Sequence, residues 1–265
     1  MCFADIDGLA LHHSVQGHRR GMPVVFINSL GTDLRIWDGV IPHLADRFRI
    51  VRYDKRGHGL SDCSPGRNAI RTHTNDLAGL LDSLQIDETI VVGTSVGGMI
   101  ALDFAAAYPR RVRAQVLCGT GPKIGTAEMW NERIHTLREH GMDTLSDAIV
   151  SRWFTASFAQ NHPAAYRGYR NMLSRTPVAG YTSLCEAIRD ADFTEAVAAI
   201  RTNSLVLCGA EDVATPLELV EGMAKTLPHA QFNIIEQAAH LPCIEQPDVM
   251  AARIMGFFEE NGYVG

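Results

Sequence analysis

The sequence predicts an α/β fold: a mostly parallel central sheet, helices on both of its faces, and a helical cap inserted between two strands. Three observations carry this. Short, almost wholly apolar runs recur along the chain, as expected of strands buried on both faces. Helical stripes lie between those runs, and strand alternating with helix is the pattern of a doubly wound sheet. One stretch, from about Ile124 to Arg189, has no apolar strand and reads as several amphipathic helices rich in Trp, Tyr, Phe and Arg.

Taken in order, the first apolar run is Val24-Val25-Phe26-Ile27, followed by the loop Asn28-Ser29-Leu30-Gly31-Thr32. Leu77, Leu80, Leu81 and Leu84 form an i, i+3, i+4, i+7 stripe, hence a helix. Ile90-Val91-Val92 is the second run. It leads through Gly93-Thr94-Ser95-Val96-Gly97-Gly98 into a helix from Met99 to Tyr108 that Pro109 ends. Val112 to Leu117 is the third run. The strand pattern resumes at Ser204 with Leu205-Val206-Leu207, then with the alternating strand Gln231 to Glu236. Met250, Ile254 and Phe257 mark a last helix. The chain thus divides into a first part of an α/β core at 1–123, a helical cap or lid at 124–189, and a second part of the core at 190–265.

Composition narrows the function. The 265 residues, 46% of them hydrophobic, suffice for one sizeable core. A net charge of -6 supplies no global basic field, so neither nucleic acid nor an anionic membrane is an expected partner. An anionic small substrate would need a local cation in its pocket. The six cysteines have no paired or metal-type spacing, and Cys118 and Cys208 end apolar runs as small buried thiols do. The opening Met-Cys-Phe-Ala-Asp is not a secretory signal, and no apolar stretch approaches the roughly 18 residues of a membrane helix. A cytoplasmic enzyme is the expectation.

The chemistry begins at Ser95. Gly-x-Ser-x-Gly acquires meaning when a strand precedes it and a helix follows, because the serine then stands on a sharp, strained turn at the strand's C-terminal end. Gly93 and Gly97 leave room where a Cβ would collide, and the following helix points its N-terminus at developing negative charge. A serine hydroxyl needs a base, and the base an orienting acid. In the order Ser, acid, His, the acid falls in Cys208-Gly209-Ala210-Glu211-Asp212; Glu211 and Asp212 are both available, and Asp212 has the better placement. His240, after the strand Gln231 to Glu236 and before the last helix, is the candidate base. Among the other histidines, His58 sits in a tight turn and reads as structural. His12, His13, His43, His73 and His229 read as surface or element-edge residues, and His135, His140 and His162 belong to the cap. The oxyanion hole falls to the backbone N–H groups of Val96 and Leu30.

With these residues in hand, the chain resembles the 3-oxoadipate enol-lactonases, the β-ketoadipate-pathway members of the α/β-hydrolase fold. The likeness runs over nearly the whole chain. It includes Arg52-Tyr53-Asp54-Lys55-Arg56-Gly57-His58-Gly59, of which Arg56-Gly57-His58-Gly59, like Ser95-x-Gly97-Gly98, is common to many α/β hydrolases. More particular are Asn28-Ser29-Leu30-Gly31-Thr32 with Trp37, and Lys123-Ile124-Gly125-Thr126-Ala127 with Trp130 and Arg133. Arg152-Trp153-Phe154-Thr155, Gly180-Tyr181, Ala187 to Asp192, and Ala239-His240 with Glu245-Gln246-Pro247 extend it. Thr94, Val96 and Asn203 depart from the family's usual residues, and none belongs to the triad.

The resemblance implies hydrolysis, in aromatic-compound catabolism, of an unsaturated five-membered lactone with an acetate arm, through a Ser95–His240–Asp212 triad and an acyl-enzyme. It implies no metal or organic cofactor. The arm needs a cation, and the cap offers Arg133, Arg138, Arg152, Arg167, Arg170, Arg175 and Arg189. Arg133, one helical turn from Trp130, is the choice for a bidentate contact. Trp130 and Trp153 are expected to wall the pocket with Ser29, although Trp153 equally suits helix packing. The alternatives are a carboxylesterase or perhydrolase-like enzyme on the same scaffold, and a ligand sensor with slow turnover.

Overall fold

In the computed structural model, which describes residues 2–63, 66 and 68–264, eight strands form one sheet. They are β1 (Cys2–Ile6), β2 (Leu9–Gly17), β3 (Pro23–Ile27), β4 (Arg49–Tyr53), β5 (Thr89–Thr94), β6 (Val112–Cys118), β7 (Ser204–Gly209) and β8 (Ala230–Ile235). Their spatial order is β1-β2-β4-β3-β5-β6-β7-β8. The β1–β2 and β2–β4 pairs are antiparallel, and every pair from β4 and β3 onward to β8 is parallel. All six residues of β5 and of β7 are buried, which is why these strands read as unbroken apolar runs.

Three strands lie outside those runs. β1 exposes most of its residues, β2 carries His12, His13 and Ser14, and β4 carries Arg49 and Arg52. Here the expectation of surface histidines is overturned for His12, His13 and His73, which are 3%, 5% and 2% exposed. β2 is covered by a strand on either side, and His12 Nδ1 lies 2.7 Å from Asp54 Oδ2. A polar side chain on a paired strand is buried once it finds a partner there. His73 lies on α1 (Ile70–Ser83), and burial pushes its pKa down to about 3, so it sits neutral.

The remaining helices follow the alternation. α2 (Val96–Ala107) joins β5 to β6 and packs on both strands and on α1. It begins three residues earlier than the sequence suggests, with Gly97 and Gly98 in its first turn. Between β6 and β7 come α3 (Ala127–His140), α4 (Asp143–Val150), α5 (Ala156–Asn161), α6 (Pro163–Ser174), α7 (Val178–Asp190) and α8 (Thr194–Val197). Of these, α3 packs on α7 and α4 on α6. α9 (Leu217–Thr226) links β7 to β8, and α10 (Pro242–Glu245) and α11 (Pro247–Glu260) close the described chain. No helix among the described residues is long and apolar enough to cross a membrane.

Candidate active site

The C-terminal ends of β3, β5 and β7, with the turn after β8, converge on one cavity of about 240 Å³. Ser95 stands at the β5–α2 junction with φ 56° and ψ −123°, in the left-handed region that a non-glycine residue enters only at a cost. The strain is held by its surroundings. Ser95 N–H donates to the Cys118 carbonyl at 2.9 Å, and the Ser95 carbonyl accepts from Thr120 Oγ1 at 2.7 Å and Gly98 N at 2.9 Å. A Cβ on Gly93 would lie 2.2 Å from the Gly97 carbonyl oxygen, and one on Gly97 2.2 Å from that of Ile27. Only glycine lets the turn close this tightly.

Asp212 lies three residues beyond β7 and is buried, whereas Glu211 beside it is exposed. Its Oδ1 accepts the amides of Ala214 and Thr215 at 2.8 and 2.9 Å, and its Oδ2 accepts the Thr215 hydroxyl at 2.7 Å. His240 Nδ1 lies 2.9 Å from the same Oδ2. Burial opposes ionisation of Asp212, but His240 and the Thr215 hydroxyl and amide outweigh it and hold the carboxyl below its ordinary range. A carboxylate accepts, so Nδ1 carries the proton and Nε2 is left as the base.

The loop after β3 supplies the third part. Leu30 and Ser29 line the cavity with Ser95 and His240, and Val96 is buried at the first position of α2. Neither the Leu30 nor the Val96 amide donates to a protein acceptor among the described residues. Gly31, at φ +74°, lies under the cap: a Cβ there would meet Leu173 at 2.5 Å and Tyr181 at 2.9 Å. The Gly31 amide donates to His58 Nε2 at 3.0 Å, and His58 Nδ1 lies 3.3 Å from the Arg56 carbonyl. Burial keeps His58 well below its ordinary pKa, so it works as a neutral brace for this loop.

The cap forms the opposite wall. Trp130, Trp153, Ile124, Met129, Ile149, Tyr181 and Ile188 line it, with Arg133 and Arg152 as its cations. Trp130 Nε1 donates to the Ile124 carbonyl at 2.7 Å, which fixes the ring, and the Arg133 guanidinium lies 4.9 Å from that ring's centroid. Trp153 lines the cavity and also packs against Phe154, so both roles foreseen for it are filled. The other cap arginines point elsewhere. Arg138 pairs with Glu186, Arg170 with Asp147 and Asp143, and Arg189 with Asp190; Arg167 and Arg175 are exposed. Arg152 donates to the Val213 carbonyl at 2.9 Å; among the described residues neither it nor Arg133 is in an ion pair with a carboxylate, and Arg133 is the one set against the Trp130 ring.

Sequence reasoning does not name Thr215, and it includes Lys55, Tyr181 and Glu245 only within the family likeness, with no role. The Glu245 carboxylate accepts the Thr155 amide and hydroxyl at 2.9 and 2.8 Å and the Ala239 amide at 2.7 Å, tying cap to histidine turn. Its sequence signal was only a family likeness in Glu245-Gln246-Pro247. Two larger hollows, of about 660 and 570 Å³, contain no member of the triad or oxyanion loop.

Residues 22–139 match the family model described as the alpha/beta hydrolase fold. The chain is 31% identical over 239 residues to 3-oxoadipate enol-lactonase 2 of Acinetobacter baylyi, covering 90% of this chain and 89% of the relative. The enol-lactonase of Burkholderia xenovorans superposes with a TM-score of 0.95 at 33% identity, over 97% of this chain and all of the other. A thermophilic esterase from Thermogutta terrifontis, solved with malate bound, superposes with a TM-score of 0.90 at 29% identity, over 95% and 94% of the two chains.

Proposed function

The chain belongs to the family of the 3-oxoadipate enol-lactonases, on the α/β-hydrolase fold, and from that premise we propose that it opens the ring of 3-oxoadipate enol-lactone with Ser95, His240 and Asp212 as its triad. The observation that carries the reading is the single cavity in which Ser95, His240 and Leu30 face Trp130 and Arg133. A catalytic serine and the Arg133 guanidinium beside Trp130, in a small apolar chamber, suit a small ester bearing a carboxylate.

The steps follow from the geometry. Ser95 Oγ attacks the lactone carbonyl as His240 Nε2 takes its proton. The Leu30 and Val96 amides receive the oxyanion, each such donor being worth about 10²–10³ in rate. Collapse breaks the ring C–O bond and expels an enolate, which takes the proton back from the His240 imidazolium and becomes the ketone of 3-oxoadipate while the acyl group stays on Ser95. Neutral again, His240 takes a proton from water as the water oxygen adds to the acyl carbon, and it returns that proton to Ser95 Oγ as the ester bond breaks. Asp212 steadies the imidazolium in both halves. Arg133 holds the acetate arm and so aligns the carbonyl with Oγ.

The small anionic lactone is the partner this reading requires, with nucleic acid and membrane playing no part. The reading places the enzyme in the cytoplasm, where its six free cysteines would remain reduced. The esterase likeness favours a second reading, a carboxylesterase of small acidic esters. Turnover of the enol-lactone against p-nitrophenyl acetate separates the two: kcat/KM should favour the lactone by about 10–100-fold, the scale of a charge-assisted contact. A preference for the simple ester would favour the second reading.

A further inference from the structure

A buried ammonium lies behind the oxyanion loop. Lys55, just past β4 and 1% exposed, donates from Nζ to the Ser29 carbonyl at 3.0 Å. Thr32 Oγ1 donates to the same oxygen at 2.9 Å. A carbonyl and the next N–H are two ends of one planar, resonant unit. The unit held here is Ser29–Leu30, and its nitrogen belongs to Leu30. Drawing electron density toward the oxygen strengthens the N–H at the other end as a donor, as in any polarised chain of hydrogen bonds.

The fold does not need this charge for an ion pair. Among the described residues no carboxylate lies within ion-pair distance of Lys55. Asp54, its chain neighbour, is occupied by His12 Nδ1 at 2.7 Å and by the amides of Leu34 and Leu60 at 2.8 and 2.9 Å. An ammonium buried without a carboxylate is costly, and such costs concentrate where function needs them. We propose that Lys55 is a positioning residue for the oxyanion hole, its ammonium fixing the Ser29–Leu30 peptide and polarising the Leu30 N–H toward the developing charge. The inference rests on the reading of Leu30 as an oxyanion donor.

Burial pushes Lys55 down to about 7, against Asp54 and Asp33, which pull it up. The basic groups that feel its charge are His58 in the following turn and His73 on α1, with Arg56 beside them, and burial keeps both histidines neutral. Below about 7 the ammonium is charged and the hole strong. Above it the amine is neutral and the hole weaker.

The chain has three lysines, Lys55, Lys123 and Lys225, so their Nζ signals are separable by nitrogen NMR. The probe is a small methyl trifluoromethyl ketone, to which Ser95 adds to leave an oxyanion. In the free enzyme the Leu30 amide signal should titrate with the Lys55 midpoint and not with that of the His240 imidazole. In the adduct the Lys55 midpoint should rise by about one to two pH units, because coupling is reciprocal and tenfold in affinity is one pH unit. Lys55→Met should correspondingly lose about 10–100-fold in ketone affinity and in kcat for p-nitrophenyl acetate, with KM within about threefold. Should Lys55→Met fail to fold, the wild-type midpoints decide the matter. A Leu30 amide indifferent to adduct formation would overturn the oxyanion reading itself. An amide that responds to the adduct, beside a Lys55 midpoint that does not, overturns this inference alone, as does a Lys55→Met loss confined to thermal stability.

Discussion

The two walls of the cavity are built by different means. On the sheet side, position is enforced atom by atom: Ser95 is strained at φ 56° between glycines, Asp212 accepts from four groups, and His58 and Lys55 brace the Leu30 loop. On the cap side, one hydrogen bond to the Ile124 carbonyl fixes the Trp130 ring, and Trp153 and the aliphatic neighbours are held by packing. The ion pairs there keep one partner well exposed, Arg138 in Arg138–Glu186 and Asp147 in Arg170–Asp147, and such pairs contribute little. Acyl transfer needs its groups placed within tenths of an ångström, whereas choosing a substrate needs a shape and one cation. Damage should therefore be steep on the sheet side and graded on the cap side.

Ser95→Ala is the largest expected effect. It should lower kcat by about 10⁴-fold or more while leaving the affinity for 3-oxoadipate, read by calorimetry, unchanged. Asp212→Asn should follow, at about 10³–10⁴-fold in kcat, because an amide no longer dictates which His240 nitrogen carries the proton. Arg133→Ala tests the other wall. Loss of one charge-assisted carboxylate contact should lower kcat/KM for the enol-lactone by about 10–100-fold and leave p-nitrophenyl acetate within about threefold. Combining Arg133→Ala with Asp212→Asn sharpens the comparison. Independent walls give additive losses within about 0.5 kcal/mol, and a larger coupling energy would show that the cap also places the triad.

The same contrast governs what was legible in the sequence. The sheet side was largely readable, because Gly93, Ser95 and Gly97 stand where only one turn fits and β5 and β7 are buried on both faces. The neighbours that tune it were not. Lys55 and Glu245 lie 26 and 90 residues from groups they hold, and no periodicity reports a contact closed by the fold; Thr215 is only three residues from Asp212, in a turn without periodicity. His12 and His73 show the converse failure. Their residue type suggested a surface, but β2 is flanked by two strands and α1 is packed on β1 and α2. In the cap, seven arginines look alike as letters, and only tertiary packing leaves Arg133 facing the cavity beside Trp130.

Glu245 is where the walls meet, and it carries the smallest effect. Its carboxylate takes three donors, two from Thr155 after the cap's Trp153 and one from Ala239 before His240, while the Leu241 amide donates to the Trp153 carbonyl at 3.2 Å. Glu245→Gln must turn an NH₂ toward one of these donors. It should lower stability by about 1–3 kcal/mol, the cost of a buried group left unpaired, which for a chain of this size is a Tm lower by about 2–10 °C. kcat should fall several-fold as the His240 turn loosens. The pH dependence gives the sign. Burial raises the Glu245 carboxyl above its ordinary 4.5 despite the donors that oppose it. A raised carboxyl contributes stability that is present below the ordinary value and is lost as pH rises through the folded one. The gap in Tm between wild type and Glu245→Gln should thus narrow on going from acid toward neutral pH. A gap that widens instead would mean that the three donors, not burial, dominate at this junction, and that the cap is anchored to the histidine turn by a full negative charge.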